Sequence, residues 1–80
     1  MTINEIKQKI IEVIQESTET EIELTEQTHI INDMSLSSVE TMMMVSYLED
    51  CFGITIPSSL LRNVRTIGDL GDIIIDVLKQ

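Results

Sequence analysis

The strongest constraint on this chain is a helical apolar stripe that begins almost at its first residue. Ile3, Ile6, Ile10, Val13 and Ile14 recur at steps of three and four, the spacing that gathers side chains on one face of an α-helix. Lys7, Lys9, Glu12, Gln15 and Glu16 fill the opposite side. Thr2, with Glu5 three residues later, forms a capping box ahead of the stripe. The pattern predicts a helix from about residue 3 to residue 16. Such a helix buries only one face and needs other elements to cover it.

Two later segments can supply that cover. Ser37 and Glu40 make a second capping box, and Met42, Val45, Leu48 and Phe52, with Met44 beside them, mark a buried stripe. Gly53 stops this helix and Pro57 prevents its continuation. Ser58 to Asn63 has room only for a short helical turn carrying Leu60 and Leu61. Thr66, with Asp69 at the capping position, opens a last helix whose stripe is Ile67, Leu70, Ile73, Ile74, Val77 and Leu78. Gly68 and Gly71 in its first turns are each unfavourable by roughly 1 kcal/mol relative to Ala, so a loose start is expected. The expected fold is all-α: a small four-helix bundle with three main helices, one short helix and a long first loop. Eighty residues is the size of one domain, spanning 1–80.

The segment from Ser17 to Ser37 breaks the helical pattern. Glu19, Glu21 and Glu23 alternate with Thr20 and Ile22 as in a strand. No second alternating run can pair with it, and a lone strand is not stable. It reads as a connecting loop pinned to the core by Ile22, Leu24, Ile30, Ile31 and Leu36. A structureless loop of about twenty residues is uncommon unless it has work to do, and here that work is expected to be meeting partners.

Charge narrows the partners. Fourteen acids against five bases give a net charge of −9. That field repels phosphate backbones, which argues against nucleic-acid binding, and it favours basic protein surfaces. Cys51 and His29 are each the sole residue of their kind. An internal disulfide is therefore excluded, and the ligand cluster of a structural metal site is missing. A serine nucleophile needs a positioned base, and a single loop histidine offers none, so no catalytic residues are expected. No apolar run is long enough to span a membrane and Met1–Lys7 is not a signal peptide. A cytoplasmic monomer without membrane insertion is the resulting expectation.

The informative segment is Asp33-Met34-Ser35-Leu36-Ser37-Ser38-Val39-Glu40. It resembles the D-L-G-x-D-S-L-D stretch with which acyl carrier proteins begin their second helix. The likeness continues without a gap through Leu48-Glu49-Asp50-Cys51-Phe52-Gly53, similar to the family's L-E-E-x-F-G. Ile56-Pro57 then matches its I-P, and Thr66-Ile67 its T-V. The resemblance implies a 4'-phosphopantetheine arm attached to Ser38, holding acyl groups as thioesters for fatty acid or specialised acyl biosynthesis. Counting back from Phe52 and Pro57 selects Ser38, and places Ser35 at the glycine position and Ser37 at the aspartate position. As a helix cap, Ser37 can do what Asp does. Ser38 then lies at the positive end of the helix, where a phosphodiester is favoured. Taken in isolation, two serines before an apolar run read simply as a cap; only the chain-long match assigns more to Ser38.

The resemblance also implies partners: a phosphopantetheinyl transferase, and acyl-transfer and chain-elongation enzymes with basic docking patches. Glu40, Met43, Tyr47, Glu49 and Asp50 are the expected contact residues. Met43 stands where the family often has an acid, and the short third helix carries Arg62 and no acid. Met43, Tyr47 and Cys51, at steps of four, share a face expected to be exposed. Peripheral packing against the loop explains that face as readily as a partner patch. An aminoacyl, D-alanyl or peptidyl carrier, and an acidic binding module with no arm, are the alternative readings.

Overall fold

A computed structural model describes residues 2–79; the two ends of the expected domain, Met1 and Gln80, lie outside the described residues. Four helices form in the order α1 (Ile3–Thr18), α2 (Ser38–Phe52), α3 (Ser58–Leu61) and α4 (Ile67–Leu78). Each main helix starts where its capping box stands. Thr2 with Glu5, Ser37 with Glu40 and Thr66 with Asp69 exchange side-chain and backbone bonds reciprocally. Each box satisfies donors that a helix start leaves without intrahelical acceptors. Gly53, with φ of 64°, closes α2 in the left-handed conformation, and its N–H donates to the Glu49 carbonyl.

The core is aliphatic. Ile10 and Ile14 of α1, Met44 and Leu48 of α2, and Ile67, Leu70 and Ile74 of α4 are its fully buried side chains. α1 packs against both α2 and α4, so truncating Leu48 would cost about 2–5 kcal/mol. The stripe of α2 differs from expectation. Met42 is 70% exposed, whereas Met44 is 1% exposed. Consecutive helical residues are about 100° apart. Met42, Met43 and Met44 therefore fan round more than half the helix, and apolar character alone does not say which faces inward.

The connection from α1 to α2 is not structureless. It runs through successive turns and is pinned at its middle to the start of α4. The N–H of Ile67 donates to the Thr28 carbonyl at 3.0 Å, that of Gly68 to the Glu26 carbonyl at 2.9 Å, and that of Ile30 to the Arg65 carbonyl at 2.9 Å. His29 and Thr66 form an isolated antiparallel bridge, and no strand forms at Glu19–Glu23. Lys7 of α1 ties the loop from the other side through an ion pair with Glu26 at 2.9 Å. Of the residues expected to anchor this segment, Leu24, Ile30 and Leu36 are buried but Ile22 and Ile31 are exposed. In the tight turn only one of the neighbours Ile30 and Ile31 points inward.

The expected looseness at the start of α4 is not seen in its hydrogen bonding, since the loop occupies its first N–H groups. Gly68 allows that contact. A Cβ there would lie 3.0 Å from the Glu26 carbonyl oxygen, which is itself held by the Gly68 N–H. At Gly71 a Cβ would meet only Ile10 Cδ1, at an ordinary 3.7 Å. Helix propensity alone favours Ala at both positions by about 1 kcal/mol. Thermal unfolding should therefore separate them: Gly71→Ala raises the melting temperature, whereas Gly68→Ala lowers it.

Candidate functional site

The start of α2 is built from the turn that precedes it. Ser35 has a φ of 56°, the left-handed conformation that suits glycine, and its N–H donates to the Ile31 carbonyl at 3.0 Å. Leu36 is buried and holds the segment to the core. Ser37 is the cap: its Oγ accepts the Glu40 N–H at 3.2 Å, and Glu40 Oε1 accepts the Ser37 N–H at 3.1 Å. Its hydroxyl is thereby committed.

Ser38 is the first residue of α2 and is exposed. Its hydroxyl makes no hydrogen bond among the described residues. The N–H groups of Ser38 and Val39 have no acceptor within the helix, and they lie at the end where the helix dipole favours negative charge. A phosphodiester on Ser38 Oγ fits there without displacing a protein contact. Ser35 lies outside the helix and lacks this environment.

One turn further along α2, Thr41 lies at the edge of a cavity lined by Ile30, Met44, Val45, Leu61, Val64 and Leu70, with a volume of about 170 Å³. Its wall is almost wholly aliphatic. Leu61 and Val64 come from the short α3 region, whose helix buries no residue completely; both are partly buried against the core.

The expected contact residues fall into two groups. Met43, Tyr47 and Asp50 are exposed along α2, and Val39 and Met42 extend the apolar part of that surface. Glu40 and Glu49 each hold a backbone group. Glu40 completes the cap, and Glu49 Oε2 accepts the Ile56 N–H at 2.7 Å, fastening the chain after α2 back onto the helix. Sequence reasoning missed the side chain that organises the preceding turn. His29 Nδ1 accepts the N–H groups of Asn32 at 3.0 Å and Ile31 at 3.3 Å. Asp33 four residues on was the available signal, because a carboxylate there can return a bond to the His29 N–H, as it does at 2.7 Å.

No group of three or more metal-ligating side chains occurs among the described residues, and no described helix is long and apolar enough to cross a membrane.

Residues 8–74 match a family model described as a phosphopantetheine attachment site. The chain is 33% identical over 70 residues to an acyl carrier protein of Lactobacillus acidophilus, covering 86% of this chain and 88% of that protein. A Caulobacter vibrioides protein classed with the acyl carriers is 38% identical over 56 residues, which span 70% of this chain and 65% of that one. A solved Mycobacterium tuberculosis structure of the same class superposes with a TM-score of 0.82 at 24% identity, over 89% of this chain and 96% of that one, and so shares the fold. The chain belongs to the acyl carrier protein family. Members of this phosphopantetheine-binding family carry a covalently attached 4'-phosphopantetheine and are carriers rather than enzymes.

The cap assignment has a direct consequence. Ser37→Asp should unfold at the wild-type temperature, since both side chains cap well, while Ser37→Ala should lose about 0.5–2 kcal/mol. Denaturant titrations of the three proteins check this, and equal stability of all three would exclude Ser37 as the cap.

Proposed function

We propose that Ser38 carries the arm and that the protein holds acyl intermediates on it for fatty acid or specialised acyl biosynthesis. The observation that carries this reading is the position of Ser38. It is an exposed hydroxyl at the head of α2 with its neighbour Ser37 committed to capping, inside a segment that the phosphopantetheine-site match covers. The arm supplies a terminal thiol for holding acyl groups. The protein's own residues do the rest. Ser37 and Glu40 fix the helix start, the Ser38 and Val39 N–H groups offset phosphate charge, and the cavity between α2 and α3 withdraws the acyl chain from water. At about 170 Å³ that cavity takes a short chain as it stands, since sites for drug-sized ligands run from about 300 Å³. A longer chain requires Leu61 and Val64 to move outward.

The test is intact mass after incubation with coenzyme A and a phosphopantetheinyl transferase. Wild type should gain one phosphopantetheine, Ser35→Ala should gain one as well, and Ser38→Ala none. Modification that survives in Ser38→Ala but disappears in Ser35→Ala would move the site to the other serine.

Partners fit along α2, where Met43, Tyr47 and Asp50 lie exposed beside the partly engaged Glu40 and Glu49. A methionine in place of the common family acid exchanges some ion pairing for apolar contact, and tyrosine is enriched among residues that dominate binding. Genomic neighbours of the coding sequence would name the pathway. Met43→Glu should change folding stability by no more than about 0.5 kcal/mol, as exposed substitutions usually do. Acyl transfer with the carrier's own enzymes should fall roughly five- to tenfold, the effect of losing an interface residue worth about 1 kcal/mol or slightly more. With enzymes of a conventional fatty acid pathway the rate should hold or rise. Unchanged rates in both systems would remove Met43 from the docking surface.

A further inference from the structure

The turn ahead of the attachment helix is closed by an imidazole. His29 Nδ1 accepts two backbone N–H groups, those of Ile31 and Asn32. The His29 carbonyl accepts those of Asp33 at 2.9 Å and Met34 at 3.2 Å. Its own N–H donates to Asp33 Oδ2. A side chain that accepts N–H groups two and three residues ahead does the work of Ser, Thr, Asn or Asp at a cap. Those side chains keep their acceptors at every pH near neutrality. An imidazole nitrogen keeps its acceptor only while it is unprotonated.

We infer that His29 is a positioning residue for the attachment segment, and that the neutral state of its imidazole makes presentation of Ser38 depend on pH. This rests on the assignment of the arm to Ser38. A proton on Nδ1 sets a third donor against the N–H groups of Ile31 and Asn32 and leaves both without an acceptor. Asp33 keeps its Oδ2 on the His29 N–H.

The other charged groups around the turn come from two elements. At the start of α4, Arg65 holds the Ile30 N–H through its carbonyl, and Asp69 accepts from the Arg65 and Thr66 N–H groups. Those backbone donors keep the Asp69 carboxyl below its usual range, so it stays charged across the window in question. At the start of α2, Glu40 is engaged with the Ser37 N–H. The Ile31 and Asn32 N–H groups are held by His29 Nδ1 and by none of these. The turn is coupled to the site through the bond from the Ser35 N–H to the Ile31 carbonyl, three residues before Ser38. The bundle itself is held by the core and survives the change. The effect is local to 29–37.

The deciding comparison is wild type against His29→Asn between pH 8 and pH 5.5, because the Asn side-chain oxygen accepts in the same place and does not protonate. Two quantities are read: amide-exchange protection of Ile31 and Asn32 by NMR, corrected for intrinsic rates, and kcat/KM for loading by a phosphopantetheinyl transferase. At pH 8 the two proteins should agree in both. At pH 5.5 wild-type protection should be lower than at pH 8, with protection in His29→Asn nearly constant. The ratio of wild-type to variant kcat/KM, from which the transferase's own pH dependence cancels, should fall at least threefold. Constant wild-type protection, or an equal fall in His29→Asn, overturns the role of His29. A fall in protection with a flat kcat/KM ratio overturns its link to presentation. Failure of both proteins to load at pH 8 would instead refute the assignment of Ser38, while the protection data still decide what His29 does to the turn.

Discussion

The structure depends first on how the open end of α4 is closed. A helix start leaves backbone N–H groups without acceptors, and here the long loop fills them from a distance of some forty residues in sequence. The Thr28 carbonyl takes the Ile67 N–H and the Glu26 carbonyl takes the Gly68 N–H, while Thr66 Oγ1 takes that of Asp69. This contact turns an otherwise unattached connection into part of the fold. It brings Leu24 and Ile30 into the core and sets the height at which the chain approaches α2. Lys7 and Glu26 tie the same point to α1. That ion pair is exposed enough to contribute little by itself, so the backbone bonds and the close approach at Gly68 carry the attachment.

The site inherits its geometry from that arrangement. From the pinned loop the chain passes through the turn closed by His29 and Asp33, bends at Ser35 in a left-handed conformation, buries Leu36 and enters α2 through the Ser37 cap. Every hydroxyl and carboxylate near Ser38 with a clear structural task has a backbone partner, and Ser38 alone within the capping box does not. Firm support next to an uncommitted hydroxyl at a helix start is what the proposed attachment point needs. The neighbouring aliphatic cavity is walled on one side by the short α3 region, whose helix buries no residue completely.

α2 is apolar on more than one side. Met44, Val45 and Leu48 are inside, while Val39, Met42 and Met43 lie outside with Tyr47. A surface helix usually carries polar residues opposite its buried stripe, and contiguous exposed apolar surface commonly marks a binding face. The placement of this face beside Ser38, with acids around it, is what the proposed docking of partner enzymes draws on.

Much of this was legible in the residues because the relevant signals are local. Capping boxes pair positions three apart, and Gly53 and Pro57 end α2 within a few residues. The helix starts, the order of elements and the place of Ser38 as the first residue of α2 therefore followed from the sequence. Three things did not follow, and each depends on distant parts of the chain. Which of three adjacent methionines is buried was decided by where α1 and α4 lie against α2. Gly68, unfavourable as a helical residue, made sense only once the Glu26 carbonyl stood against it. His29 became a cap only when the turn closed and brought two N–H groups to its ring. The sequence determined where helices begin and end, since those choices are settled within about one turn. Tertiary structure decided which faces meet and which side chains are spent on holding the loop, because those depend on approach between segments that no local pattern records.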